Sequence, residues 1–91
     1  MSDYTIRARI DMLRQQAAVI ADNADVVQSQ VSASAAEVDA LRHTFLGNRA
    51  RKFFAAFDNA RQDMERWDDI VRSFAAELEA AAARLEAADN G

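Results

Sequence analysis

The sequence predicts an all-α fold, an antiparallel two-helix hairpin that dimerises into a four-helix bundle. Three observations predict it. The chain of 91 residues has no proline and two glycines, Gly47 and Gly91. On both sides of Gly47 the apolar residues recur in alternating steps of three and four. The break between these stretches is short, which makes consecutive helices antiparallel neighbours.

The first helix is expected over about residues 4–44, with Ser2 or Asp3 as its N-cap. Its apolar or small positions run Ile6, Ile10, Leu13, Ala17, Ile20, Ala24, Val27, Val31, Ser34, Val38, Leu41 and Phe45. This is a heptad seam rather than a looser 3.6-residue stripe. The turn follows at about residues 45–48. Gly47 tolerates the positive φ that ends a helix, and Asn48 is suited to cap the next one.

The second helix is expected over about residues 49–88. Its seam reads Ala50, Phe53, Phe57, Ala60, Met64, Trp67, Val71, Phe74, Leu78, Ala81, Leu85 and Ala88. Two strict seven-residue repeats imply a left-handed supercoil, with each helix roughly 60 Å long at ~1.5 Å per residue. Folding about Gly47 sets Trp67 opposite Ala24 and Val27. It also brings Arg14 near Glu79 and Arg7 near Glu86.

A second apolar set lies off the seams. Met12, Val19 and Val26 repeat every seven residues, continued weakly by Ala33 and Ala40. Phe54 and Ile70 flank the seam of the second helix. A lone hairpin has one interface and cannot bury both sets. Two helices also make a thin core, and scaffolds of this size usually need a staple or an oligomer. Met12, Val19, Val26, Phe54 and Ile70 are therefore the expected dimer face, covered by a second copy or a related hairpin.

Composition narrows the function. Eleven basic and fifteen acidic side chains leave a formal charge of −4. A general nucleic-acid binder needs the opposite sign, so nucleic acid is not an expected partner. Cysteine is absent, which removes disulfides and thiolate metal sites. No apolar run approaches the ~18–20 residues of a membrane span. The N-terminal stretch lacks a basic segment followed by an apolar core, so Sec-type export is not expected.

Chemistry is not expected either. His43, the one histidine, has no orienting carboxylate or nucleophile at useful spacing. Glu65, Asp68, Asp69, Glu77, Glu79 and Glu86 lie off the seam, and Glu-x-x-His does not occur. They read as a solvated face, and no cofactor or metal is expected. Arg49, Arg51 and Lys52 open the second helix, with Arg42 across the turn. Cations there oppose the helix dipole. They either serve an acidic protein or lipid partner or cover the aromatic end of the seam with their stems.

A helical hairpin of this length with an aromatic-x-Gly turn at its middle resembles the Trp-x-Gly small proteins of bacterial type VII secretion. Phe45-Leu46-Gly47 falls where that family has Trp-x-Gly, and Ala50 and Phe53 follow as its small and aromatic residues. Leu85 and Asp89 lie where the family carries Tyr-x-x-x-Asp/Glu, a candidate export signal. Phenylalanine and leucine here replace the family's tryptophan and tyrosine, so an indole N–H and a phenol are lost.

The resemblance implies a non-enzymatic protein secreted after folding in the bacterial cytoplasm, as a homodimer or heterodimer. It implies a secretion ATPase as partner, and a role as effector or as companion of a larger secreted toxin. The alternative is a cytosolic adaptor or chaperone that pairs with the helical N-terminal domain of such a toxin. Membrane-surface contact, motivated by the basic turn and the second apolar set, ranks below both.

Overall fold

The computed structural model describes residues 3–90. The expected N-cap Ser2 lies outside them. Two helices, α1 (Asp3–Leu41) and α2 (Asn48–Asn90), pack along their lengths as a hairpin. The described residues contain no strand. The molecule measures 67 × 16 × 14 Å, the length of its longer helix and the width of two.

The turn is longer than expected because α1 ends at Leu41, not near residue 44. Its last carbonyls are satisfied locally. The Arg42 N–H donates to Asp39 O at 3.2 Å, and the Thr44 and Phe45 N–H groups both donate to Leu41 O at 3.0 Å. Gly47 sits six residues beyond Leu41, at φ +114°. It does not close α1; it opens α2. Its carbonyl accepts from the Arg51 N–H at 3.0 Å, so Gly47 takes the N-cap place expected of Asn48.

The core is small. Ile10, Ala17, Ala24 and Ala35 on α1 and Ala75 and Ala82 on α2 are buried. Ile10 is the one large side chain among the described residues that is fully enclosed. Alanine on both helices permits close approach of the two backbones, since interaxial distance follows contact side-chain size.

The α1 seam holds from Ile6 to Val31 and again at the half-buried Val38, but shifts by one residue at two places. Ala35 is buried where Ser34 was expected, and Leu41 is exposed while Arg42 turns inward. On α2 one expected column faces α1: Phe57, Met64, Val71 and Leu78 are half-buried. The other does not. Phe53, Ala60, Trp67 and Phe74 are exposed, and their place is taken by Phe54, Arg61, Asp68, Ala75 and Ala82. The cause is fit, because small Ala75 and Ala82 suit the alanine-rich α1 better than aromatic rings do.

Candidate functional site

The two flanks of the α2 seam differ in chemistry. One flank is the column that follows the half-buried Phe57, Val71 and Leu78 and the exposed Leu85. It reads Asp58, Arg72, Glu79 and Glu86. The other is the column that precedes Phe54, Asp68, Ala75 and Ala82. It reads Phe53, Trp67, Phe74 and Ala81. One residue is about 100° of helix, so these columns lie on opposite sides of the hairpin.

The charged flank ties the helices together. Arg7 Nη1 lies 2.8 Å from Glu86 Oε2, and Arg14 reaches Glu86 at 3.1 Å and Glu79 at 3.8 Å. Both expected pairs form, and Arg14–Glu86 adds a third. Arg72 spans to Asp25 at 2.8 Å and to the Gln28 amide oxygen at 3.1 Å. It also holds Asp68 of its own helix at 2.9 Å. Arg42 Nη2 meets Asp58 at 2.5 Å and Arg42 Nε meets Asp39 at 2.8 Å. Arg66 and Asp63 pair outside this set. Two hydrogen-bonding guanidiniums, Arg14 and then Arg7, hold the Glu86 carboxyl at about 2, well below its ordinary 4.5.

The apolar flank is open. Phe53, Trp67 and Phe74 recur on α2 at heptad spacing, with Ile70 alongside at 68 % exposure. Trp67 lines a groove with Val27, one of its two expected neighbours, and with Val31, Met64 and the polar Gln28, Arg61 and Asp68. A second groove of about 300 Å³ runs by Val27, Val31, Ser34, Phe57 and Ala60.

The structure does not gather the residues expected to form one dimer face. Met12, Val19 and Val26 are exposed. They lie two positions, about 200°, beyond the buried Ile10–Ala17–Ala24 column and so look out from the back of α1. Ile70 belongs to the flank of α2. Phe54 is half-buried inside the hairpin, edge-on to Phe53 at 5.5 Å, with the Arg42 guanidinium 4.8 Å from its ring centre. Phe53, Trp67 and Phe74, expected in the internal seam, are exposed instead.

The tip carries Phe45, Leu46 and Gly47. Phe45 does not close the α1 seam. It stands beyond the helix end and lines a cavity of about 420 Å³ with Leu41, Leu46, Ala50, Phe53 and Phe54. At the other end, Leu85 and Asp89 sit one turn apart on α2, on one helix face. Leu85 is exposed and Asp89 half-buried, in the electrostatic reach of Arg7. Among the described residues no group of His, Cys, Asp and Glu is arranged to hold a metal ion. No helix there is long and apolar enough to cross a membrane.

This is the architecture of a small helical interaction protein. A family model, WXG100, proteins of 100 residues with WXG, matches residues 5–90. The chain belongs to the WXG100 family. Its members are small, non-enzymatic helical proteins secreted by type VII systems, and they typically dimerise with themselves or with related proteins. No curated protein and no solved structure matches the chain. Trp67 is followed by Asp68 and Asp69, so the one tryptophan is not part of a Trp-x-Gly.

Proposed function

We propose that this protein leaves the cell folded, as a dimer, through a type VII secretion system, and acts as an effector or as the companion of a larger secreted protein. The observation that carries this reading is the exposed column Phe53, Trp67 and Phe74 beside a core that fully encloses one large side chain. An isolated hairpin with so thin a core is marginal, and covering the aromatic column supplies the missing burial. The partner hairpin lies over the groove between α1 and α2, with Ile70 at the rim. The Met12–Val19–Val26 strip behind α1 is then a second contact, suited to a helix of a larger toxin.

Sedimentation velocity of the purified chain tests the pairing. A dimer is expected from the chain alone or on adding a related hairpin. A monomer that no family hairpin shifts would refute the reading.

Leu85 and Asp89 are proposed as the export signal read by the secretion ATPase. Leucine at 85 in place of the family's tyrosine favours a second reading, a cytosolic adaptor for a toxin's N-terminal helical domain. The two separate in a host with a working type VII system. Leu85→Ala with Asp89→Ala abolishes appearance in the culture medium on the first reading. On the second, the wild-type chain stays in the cell and copurifies with the toxin.

A further inference from the structure

We propose that the hairpin tip docks end-on against an anionic lipid surface. The tip is apolar at its apex and cationic around it. Leu46 is 85 % exposed and Phe45 is 56 % exposed, both at one end of a 67 Å rod. Beside them stand Arg49, Arg51 and Lys52, all exposed and none in an ion pair within the described residues.

The charge is sharply divided. From Ala40 to Phe57 there are four cations, Arg42 included, and no carboxylate. All fifteen carboxylates lie along the shaft or at the open end, so the rest of the molecule is strongly acidic. The two carboxylates that bracket the tip, Asp39 and Asp58, are both held by Arg42. The N-terminus of α2 also points here, with no acidic residue in its first turn to offset its dipole. An anionic surface attracts this end and repels the shaft, which selects an end-on approach.

The mixed chemistry of the tip favours lipid. Leu41, Phe45, Leu46 and Phe54 line an open apolar recess of about 420 Å³ together with Arg49. A bilayer supplies acyl chains to such a recess and anionic headgroups to the flanking cations. Residues paired in this way bind by apolar burial plus electrostatic attraction.

The test is flotation of the full chain with vesicles of equal parts phosphatidylcholine and phosphatidylserine, against phosphatidylcholine alone. Binding to the anionic vesicles is expected, and it should weaken as salt screens the attraction. Replacing Arg49, Arg51 and Lys52 together by Gln should weaken binding about a hundredfold, from about fivefold per cation near such a surface. Far-ultraviolet circular dichroism checks that the variants stay helical.

Insertion is read separately. Leu46→Trp in a Trp67→Phe background should show a blue-shifted emission with anionic vesicles and none with phosphatidylcholine. Failure of the wild-type chain to float with anionic vesicles overturns the proposal, as does equal binding by the Gln variant. An unshifted emission overturns the inserted apex. Either result would leave the tip as a surface for a protein partner. The dimer can stand or fall without this result, because sedimentation reads it without lipid.

Discussion

The guanidinium of Arg42 lies 4.8 Å from the ring centre of Phe54, one residue past the end of α1 and two turns into α2. The same side chain holds Asp39 and Asp58. One residue thus closes the α1 terminus, spans the turn and covers an aromatic ring. Arg42→Met keeps the stem but removes the charge and the donors, so the turn should open locally more often. Amide hydrogen exchange over residues 42–50 should speed up and the melting temperature should fall. Arg42→Lys should rescue little, because an ammonium cannot present the planar fork that meets two carboxylates and a ring. Unchanged exchange in Arg42→Met would show that the turn is held by its backbone alone.

Glu86 accepts from both Arg7 and Arg14 and bridges two turns of α1 at the open end. Its carboxyl titrates at about 2, against an ordinary 4.5. A carboxylate whose folded value is depressed stabilises the fold above its unfolded value and loses that contribution as pH falls toward the folded one. The wild-type melting temperature should therefore fall between about pH 4.5 and 2 more steeply than that of Glu86→Gln. Above that window the variant should be the less stable of the two. Parallel curves for the two proteins would mean that Glu86 gains nothing from its arginines in solution.

The hairpin and its register were legible in the sequence; the inward face of α2 was not. Arg7–Glu86 and Arg14–Glu79 could be read because opposite charges at heptad spacing are symmetric about the turn. The α2 face could not, because three neighbouring columns were candidates and periodicity alone does not choose among them. Phe53–Trp67–Phe74 looked like core by hydrophobicity. The column that won contains Arg61 and Asp68, which read as surface, and Ala75 and Ala82, which read as filler. The structure selects it because Ala17 and Ala24 leave no depth for rings. The flanking row Asp58, Arg72, Glu79, Glu86 was also visible at seven-residue spacing, and it marks which side of α2 turns toward the arginines of α1. Of the residues expected on one dimer face, Phe54 turns into the hairpin while Met12, Val19, Val26 and Ile70 stay exposed, and periodicity alone does not separate a column that faces α1 from one that faces a partner.

Gly47 offers a backbone test. At φ +114° a Cβ would meet nothing within 4 Å, so the cost of Gly47→Ala is conformational rather than steric crowding by neighbours. Such a substitution at positive φ should destabilise by at least about 1 kcal/mol. Gly47→Asn should cost less, since Asn tolerates this region better. Chemical denaturation of the three proteins measures the order, and an alanine variant as stable as the wild type would mean the turn can reshape around it.

Ile10 carries the core end of the same accounting. It is fully buried, so Ile10→Ala should leave a cavity and cost about 2–5 kcal/mol. Met12, two residues along, is exposed, and Met12→Ala should change hairpin stability by no more than about 0.5 kcal/mol. Equal losses in both variants would mean that the strip behind α1 is covered in the protein as it exists in solution.

That strip and the aromatic column make a paired prediction about assembly. Phe74→Asp should shift a dimer to monomer, because an unpaired charge at a buried interface costs several kcal/mol, on the order of a thousandfold in dissociation constant. Val19→Asp should leave the dimer intact, since Val19 looks away from the groove between α1 and α2. Both side chains are exposed in the single chain, so neither change should unfold the hairpin. Analytical ultracentrifugation at matched concentrations separates the cases. Dissociation by Val19→Asp with none by Phe74→Asp would place the interface behind α1. Loss in both would require a partner that wraps around α1, as two hairpins stacked through a single groove do not.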